Sequence, residues 1–368
     1  MTPAGETMQA FRLVEWQQPP ELVRVAVPVA GPGEVLVRVA GNGLCHSDIT
    51  MMGMTREIGE AIGWNLPFTL GHEAAGWVAA LGDGVSGVAV GDAVALMSAN
   101  SCGRCRYCRI GRDSLCADNM VGRGYGRDGG LAEYVVADAT RDLVPLGDLD
   151  PTTAGTLTDA GATSYHAVSR VLARLQGLAD PTGRRPSVAV FGIGGLGVFA
   201  VQILAALADV EIIAVDRDAG RREHALSLGA HHSVDGIDRS TRRALRDIAG
   251  PDGVDGVIDI VGTDESIDCG IRSLARGGAF ALVGAAGGTL ARPWFPTLPH
   301  EAEVFTFQGS SRAHVEAVVG LAREGRVVVE AERFALSDVA TAYERMEAGT
   351  LAARAVIVPG DGDPASTR

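Results

Sequence analysis

Positive charge is scarce in this sequence. Its 368 residues include 32 Lys and Arg against 45 Asp and Glu, which gives a formal net charge of −13. An acidic chain repels nucleic-acid phosphates and anionic lipid headgroups, so we expect neither nucleic acid nor a membrane surface as a partner. The first residues also lack a basic stretch followed by an apolar run, so we expect no signal peptide and a cytoplasmic location.

Long apolar segments are rare as well. Val188–Ala208 contains no charged residue and is long enough to span a membrane. Four glycines interrupt it and another apolar segment follows, which favours a buried strand, a turn and a buried helix over a membrane span. The 46% hydrophobic and 21% charged residues are typical of a globular protein. The length fits two domains.

The pattern of apolar residues changes along the chain. Up to about residue 150 it predicts short strands separated by glycine turns, at Glu34–Ala40, Gly76–Gly82 and Gly91–Leu96. From about Pro186 it predicts strands that alternate with helices: strands at Val188–Phe191, Glu211–Val215, Val254–Ile260 and Ala279–Val283, and helices at Leu196–Ala208, Arg221–Leu228 and Glu265–Ala275. This alternation is typical of βαβ units, so we predict an α/β fold with a doubly wound parallel sheet. After about residue 310 it predicts a helix at Val315–Arg323, a final strand at Ala355–Val358 and a frayed tail at Asp361–Arg368.

A glycine-rich turn joins the first of these strands to its helix. It comprises Gly192, Gly194, Gly195, Leu196 and Gly197, and such a turn allows a pyrophosphate to approach the helix N-terminus. Asp216 ends the next strand, where a carboxylate accepts hydrogen bonds from ribose hydroxyls and repels a 2′-phosphate. The pattern therefore predicts NAD rather than NADP. Arg217 favours the opposite preference, and the alternative interpretation is that the glycines merely tighten the turn.

Only six cysteines are present, and four of them fall within fifteen residues, at Cys102, Cys105, Cys108 and Cys116. Four thiolates on one short loop predict a structural zinc site that is closed to water. An iron–sulfur cluster is the alternative, although the last gap is long and Ala117, rather than proline, follows the fourth cysteine. Cys269 lies in a predicted helix, where a small buried side chain is expected.

Three further segments carry potential ligands. They contain Cys45, His72 and Asp159, within the phrases Gly43-Leu44-Cys45-His46-Ser47-Asp48, Gly71-His72-Glu73-x2-Gly76-x5-Gly82-x2-Val85 and Leu157-Thr158-Asp159-Ala160-Gly161. Together with the cysteine loop and the glycine-rich turn, these phrases resemble the zinc-dependent alcohol dehydrogenases of the medium-chain dehydrogenase/reductase superfamily. The resemblance runs nearly end to end, and it is strongest to bacterial secondary-alcohol dehydrogenases.

The resemblance implies a role for each of these residues. Cys45, His72 and Asp159 would hold a catalytic zinc, with Asp159 where the family usually has cysteine; Glu73 would be an alternative ligand or a hydrogen-bond acceptor beside it. Ser47 would receive the alcohol proton. The family's relay histidine is replaced by Thr50, which makes the proton exit route an open question.

The resemblance extends to groups around this site. Asp48 would orient His72. His46 and Arg354 would contact the cofactor pyrophosphate, and a surface arginine is the alternative for Arg354. Trp64, Trp294 and Phe295 would line the substrate pocket or simply pack, and His166 would be structural.

The resemblance also implies an architecture. A GroES-like catalytic domain would comprise residues 1–160 and 310–368, with the structural zinc lobe at about 100–117. A Rossmann NAD-binding domain would comprise residues 161–309. A homodimer or homotetramer is expected, with Glu303–Gly309 as the edge strand for pairing.

The implied activity is the interconversion of alcohols, secondary alcohols in particular, with ketones or aldehydes. It would use NAD and two zinc ions per chain, one catalytic and one structural. The alternatives are a polyol or threonine dehydrogenase on the same scaffold, a zinc-free quinone or enone reductase, and a nucleotide-binding sensor without activity.

Overall fold

The computed structural model describes residues 6–176, 183–290 and 293–360. The chain divides into two compact units. One contains the chain up to Ala162 and again from Gly309, and the other is Thr163–Gln308.

The first unit begins with a run of short strands, as the glycine turns predict. The strands are β1 (Thr7–Leu13), β2 (Glu21–Ala26), β3 (Glu34–Gly43), β4 (Phe68–Thr69), β5 (Glu73–Leu81), β6 (Ala93–Leu96), β7 (Gly122–Arg123), β8 (Gly126–Arg127), β9 (Tyr134–Asp138) and β10 (Leu143–Pro145). The helices are α1 (His46–Met52), α2 (Arg56–Ala61), α3 (Arg106–Arg109) and α4 (Pro151–Ala154), while α5 (Ala160–Gln176) begins at the end of this unit and continues into the second. Asp150 caps α4, because its side chain accepts the backbone N–H of Thr152.

The second unit alternates strands and helices. Its strands are β11 (Ser187–Phe191), β12 (Glu211–Asp216), β13 (His232–Asp235), β14 (Val254–Asp259), β15 (Leu274–Leu282) and β16 (Glu303–Thr306). Its helices are α6 (Gly197–Leu207), α7 (Ala219–Ser227), α8 (Arg239–Ala249), α9 (Asp264–Ser273) and the single turn α10 (Trp294–Thr297). The six strands form one parallel sheet in the order β13-β12-β11-β14-β15-β16. The strand order reverses direction at β11, and such a reversal is where doubly wound sheets bind nucleotides.

The chain then returns to the first unit with α11 (Arg312–Arg323), β17 (Ala331–Ala335), α12 (Val339–Glu347) and β18 (Arg354–Val358). Strand β18 joins the large sheet of this unit, whose order is β10-β6-β5-β3-β18-β17 with β9 also paired to β3. Residues from both ends of the chain share one core, which includes Phe11, Leu44 and Phe68 together with Tyr343 and Ile357. Burial of these side chains fastens the returning segment to the N-terminal strands.

The predicted α/β class is confirmed, and most predicted elements appear with shifts of a few residues. The uncharged window Val188–Ala208 is indeed a strand, a turn and a helix. Within the described ranges, no helix combines the length and the apolar character needed to cross a membrane. The strands β13 and β17 and the helices α5, α8 and α12 are among the elements that were not predicted; charged residues break the apolar pattern of β13, β17 and α8. The predicted tail Asp361–Arg368 lies outside the described residues.

Candidate active site

Three loop positions of the first unit converge on one point. Cys45 is the N-cap of α1, directly after β3, while His72 immediately precedes β5 and Asp159 immediately precedes α5. One ligand atom from each of Cys45, His72, Glu73 and Asp159 can be chosen so that all four atoms lie within 4.8 Å of one another. A group of one thiol, one imidazole and carboxylates at this spacing is a suitable donor set for a zinc ion.

The imidazole of His72 is held in one orientation. Its Nδ1 lies 3.0 Å from Oδ1 of Asp48. Its Nε2 lies 3.4 Å from Oδ2 of Asp159 and 3.3 Å from Oγ of Ser47, and Sγ of Cys45 lies 3.7 Å from the same Asp159 oxygen. The nitrogen that faces the other donors is therefore Nε2, and Nδ1 faces a carboxylate, as in most histidine metal ligands.

Asp48 connects this imidazole to the rest of the unit. Its carboxylate is fully buried. Oδ2 accepts the backbone N–H of Cys45 at 3.0 Å and the hydroxyl of Tyr343 at 3.0 Å. Burial and the neighbouring carboxylate raise the pKa of Tyr343 well above its usual value, so the phenol stays protonated and donates. Sequence reasoning identified Asp48 but missed Tyr343, which is 295 residues away.

The electrostatics of the group suit a cation. Burial alone lowers the pKa of His72, but the carboxylates of Asp48 and Asp159 outweigh it and raise that pKa well above its usual range. A buried imidazole that attracts a proton so strongly lies in a region of negative potential. The same potential attracts a divalent metal ion, so the residues fit zinc in charge as well as in donor type.

Glu73 is held by an ion pair and by a backbone hydrogen bond. Its side chain is fully buried and forms an ion pair with Arg354, with a 3.1 Å contact from Nε to Oε2 and a second contact between Nη2 and Oε1. Oε1 also accepts the backbone N–H of Ala160 at 3.1 Å. Burial raises the pKa of Glu73, and the guanidinium of Arg354 opposes that shift. The guanidinium of Arg354 is buried, which rules out the surface-arginine interpretation; its contact with a cofactor phosphate stays a prediction.

One aromatic neighbour of the site was not predicted. The ring of Tyr125 meets that of His72 edge-on, with the ring centres 6.2 Å apart. Trp64 packs behind Tyr125 at 6.4 Å and is buried in the core. Trp294 and Phe295, the other two proposed pocket walls, are 71% and 70% exposed. Aromatic residues in a loop give no sequence signal that separates a pocket wall from ordinary packing.

The predicted cysteine loop also forms a compact donor group. The four sulfur atoms all lie within 4.8 Å of one another; they belong to Cys102, Cys105, Cys108 and Cys116. Backbone N–H groups point at these sulfurs, for example from Cys105 to Cys102 at 3.3 Å. Such contacts from Arg104 and Cys105 lower the pKa of Cys102 to about 6, which favours the thiolate that a metal requires. Four thiolates leave no position for a substrate, so this group suits a structural zinc ion.

The glycine-rich turn lies at the carboxyl end of β11 in the second unit. Gly192 has φ of +86°, and a Cβ at Gly197 would lie 2.0 Å from the carbonyl oxygen of Gly192. Gly194 differs, because a Cβ there would meet no described atom within 4 Å. Its lack of a side chain leaves space in front of the N-terminus of α6, where a pyrophosphate would bind.

Asp216 lies beside this turn. Its Oδ2 accepts the backbone N–H of Ile193 at 2.7 Å, and its Oδ1 accepts that of Asp218 at 2.9 Å. The carboxylate is therefore fixed at the end of β12, next to the turn. A carboxylate at this position is the one that hydrogen-bonds the ribose in dinucleotide-binding folds. Arg217 is exposed, and its carbonyl oxygen accepts a hydrogen bond from Arg222. His46 and Thr50 lie on α1 and are also exposed.

Comparison with known proteins identifies the family of this chain. Residues 31–148 match the family model of the alcohol dehydrogenase GroES-like domain, and residues 195–324 match that of the zinc-binding dehydrogenases. The chain is 36% identical to an NAD-dependent alcohol dehydrogenase of Saccharolobus solfataricus, over 77% of this chain and 80% of that one. It is 31% identical to a D-arabinose 1-dehydrogenase (NADP(+)) of the same organism, over 95% and 97%.

A solved structure gives the same result. The alcohol dehydrogenase of Aeropyrum pernix superimposes with a TM-score of 0.84 at 32% identity, covering 95% of this chain and all of that one. The chain therefore belongs to the zinc-dependent alcohol dehydrogenases of the medium-chain dehydrogenase/reductase superfamily. The predicted GroES-like fold and oxidoreductase class are confirmed.

Proposed function

We propose that this protein is an NAD-linked alcohol dehydrogenase that interconverts secondary alcohols with ketones, and primary alcohols with aldehydes. The observation that carries the proposal is the convergence of Cys45, His72 and Asp159. A zinc-free reductase does not need a thiol, an imidazole and a carboxylate in mutual contact. Likewise, a protein that only bound a nucleotide would need no such group.

The residues divide the work of the reaction. When bound, zinc supplies a Lewis acid for the alcohol oxygen and NAD supplies the hydride acceptor at its nicotinamide. Cys45, His72 and Asp159 hold the metal, and Asp48 keeps Nε2 of His72 directed at it. The hydroxyl of Ser47, 3.3 Å from that nitrogen, takes the proton that the alcohol loses. Because Thr50 is exposed on the same helix, the proton leaves through Thr50 or directly to water.

NAD binding is supported by the turn at Gly194 and the carboxylate of Asp216. Asp216 would hydrogen-bond the ribose hydroxyls and repel the 2′-phosphate of NADP. His46, Gly195, Leu196 and Arg354 complete the proposed cofactor contacts. The exposed Arg217 is the argument for partial use of NADP. NADP is also the cofactor in the name of the D-arabinose 1-dehydrogenase to which this chain is similar.

A second candidate substrate class is suggested by that same relative. A polyol or sugar hydroxyl presents the same secondary carbinol to the site as a simple alcohol. It brings further hydroxyls, which need polar partners. Tyr125 lies beside His72, and Trp64 and Phe68 pack behind Tyr125. This side of the site is largely apolar, which favours simple or aryl-substituted secondary alcohols over polyols.

The assembly and location of the protein are also proposed. Glu303–Thr306 is an edge strand in the part of the sheet that the structure describes. Pairing of this strand with a second copy would continue the sheet and give a homodimer, or a homotetramer by a further contact. A reducing cytoplasm would keep the cysteines of both sites available for metal.

The test is a metal determination followed by an activity assay. Protein purified in zinc-containing buffer should hold two zinc ions per chain. It should also produce NADH from 2-propanol or 1-phenylethanol, more efficiently than from D-arabinose or sorbitol. A chelator should abolish turnover, and added zinc should restore it. Two bound zinc ions without turnover of any alcohol would contradict the proposed activity, and a single zinc in the cysteine loop would contradict the proposed catalytic site.

A further inference from the structure

The contacts of Asp48 extend the candidate site to the C-terminal part of the chain. Asp48, His72 and Tyr343 are 0%, 3% and 5% exposed. Tyr343 lies on α12, on the buried face that it shares with Val339, Ala342 and Met346. Its ring stacks on Phe11, with the centres 6.2 Å apart and the planes inclined by 25°. Packing of the ring therefore fixes its position independently of the hydrogen bond that its hydroxyl makes.

The two oxygens of Asp48 have different partners. Oδ2 accepts two hydrogen bonds, from the backbone N–H of Cys45 and from the hydroxyl of Tyr343, both at 3.0 Å. Oδ1 lies 3.0 Å from Nδ1 of His72. Two donors on one oxygen fix the plane of the carboxylate, and that plane places the other oxygen 3.0 Å from the imidazole nitrogen. Without the phenol, the carboxylate would be fixed on that side by the Cys45 N–H alone and could rotate.

We propose that Tyr343 is a positioning residue for His72 and acts through Asp48. The inference rests on the proposed function, because it takes His72 as a zinc ligand. Tyr343 is hydrogen-bonded to Asp48 and is not itself a proposed ligand, so its effect should appear in the affinity of the site for the metal. In proteins, an outer partner bonded directly to a ligand changes metal affinity by about 10- to 100-fold. Tyr343 is one bond further away, so we expect an effect of about 3- to 10-fold.

The test follows the release of zinc from the full-length protein to a chromophoric chelator. Cys45→Ala and Cys116→Ser, each lacking one site, assign the two release phases. In Tyr343→Phe, release from the Cys45 site should be about 3- to 10-fold faster, and release from the cysteine loop should be unchanged. Tyr134→Phe, on strand β9, is the matched control and should release both ions at the wild-type rates.

Asp48→Asn should accelerate release more than Tyr343→Phe does. The double variant should be no faster than Asp48→Asn, because both changes act through one carboxylate. With cobalt in place of zinc, the visible absorption of the Cys45 site should shift in Tyr343→Phe, since it reports ligand geometry. Release and absorption that match the wild type in Tyr343→Phe, while Asp48→Asn differs, would overturn this inference alone. A wild-type protein that takes up one zinc would overturn the proposed function and this inference with it.

Discussion

The two metal-ligand groups of this chain are built in opposite ways. The cysteine loop takes all its donors from fifteen consecutive residues, and three of its four cysteines are only partly buried. The other group brings together Cys45 and Asp159, 114 residues apart, and buries His72 and Glu73 between them. One group is formed by a local backbone path, and the other exists only when distant strands have paired.

This difference has an energetic reason. Backbone N–H groups within the cysteine loop point at the sulfurs of Cys102, Cys105 and Cys116, and they lower the pKa of Cys102, whereas burial raises the pKa of Cys108 and Cys116. In the second group the charges are buried and must be balanced by partners from elsewhere, such as Arg354 for Glu73. A mixed donor set with a directed imidazole suits chemistry, whereas a set of four thiolates on one loop suits cross-linking of the chain.

Removing one ligand from each group should separate the two roles most strongly. Cys45→Ala should lose one zinc, with little change in Tm. It should reduce kcat/KM by more than about 100-fold, because loss of a ligand costs more than loss of a residue that hydrogen-bonds to a ligand. Cys116→Ser should also lose one zinc. It should lower Tm by at least about 5 °C, as expected for a loss of roughly 2 kcal/mol in a domain of this size, and retain most activity before it unfolds.

These variants are compared by zinc determination, steady-state kinetics and thermal unfolding. Wild-type turnover in Cys45→Ala would remove Cys45 from the proposed ligands. An equal loss of Tm in both variants would show that the two groups are not divided into a chemical and a structural site.

Replacement of Asp159 tests which carboxylate completes the donor set. Asp159→Ala should lose the catalytic zinc and reduce turnover by about 100-fold or more. Asp159→Cys should retain the metal, because a thiolate brings the same charge. Glu73 already accepts hydrogen bonds from Arg354 and Ala160, so we expect it not to substitute. Full zinc content in Asp159→Ala, with loss of that zinc in the Asp159→Ala/Glu73→Gln double variant, would instead assign the ligand role to Glu73.

The smallest effect is expected in the second unit, at the nucleotide turn. Asp216→Gly should raise the kcat/KM ratio of NADP over NAD by about 10-fold, the magnitude of one lost hydrogen bond to a charged acceptor. Asp216→Asn keeps an acceptor but loses the charge, so it should give an intermediate ratio. The comparison needs only initial rates with the two cofactors. An unchanged ratio in both variants would show that Asp216 does not read the ribose.

Sequence reasoning succeeded where a site follows from local spacing. The cysteines at 102–116 form a compact group and the glycines at 192–197 form a turn, each along one stretch of chain, so their pattern predicts their geometry. The strand–helix alternation likewise predicted the parallel sheet. Cys45, His72 and Asp159 could be joined only through resemblance to a family, because nothing in their spacing says that they meet.

What could not be predicted depends on packing between distant segments. The hydrogen bond from Tyr343 to Asp48 and the ion pair of Arg354 with Glu73 require β18 to pair with β3, which itself pairs with β5, and α12 to pack against β18. A tyrosine in a short amphipathic helix gives no signal of such a contact. Helix α8 was missed for a different reason: its arginine-rich surface hides the few buried residues, Thr241 and Leu245.

The return of the chain to the first unit sets an order for metal uptake during synthesis. Tyr343 and Arg354 lie near the end of the sequence but complete a pocket whose other residues precede position 160. During synthesis this pocket can close only after Arg354 has left the ribosome, whereas the cysteine loop leaves the exit tunnel more than two hundred residues earlier. The nascent polypeptide can thus assemble the four-cysteine group well before the group formed by Cys45, His72 and Asp159.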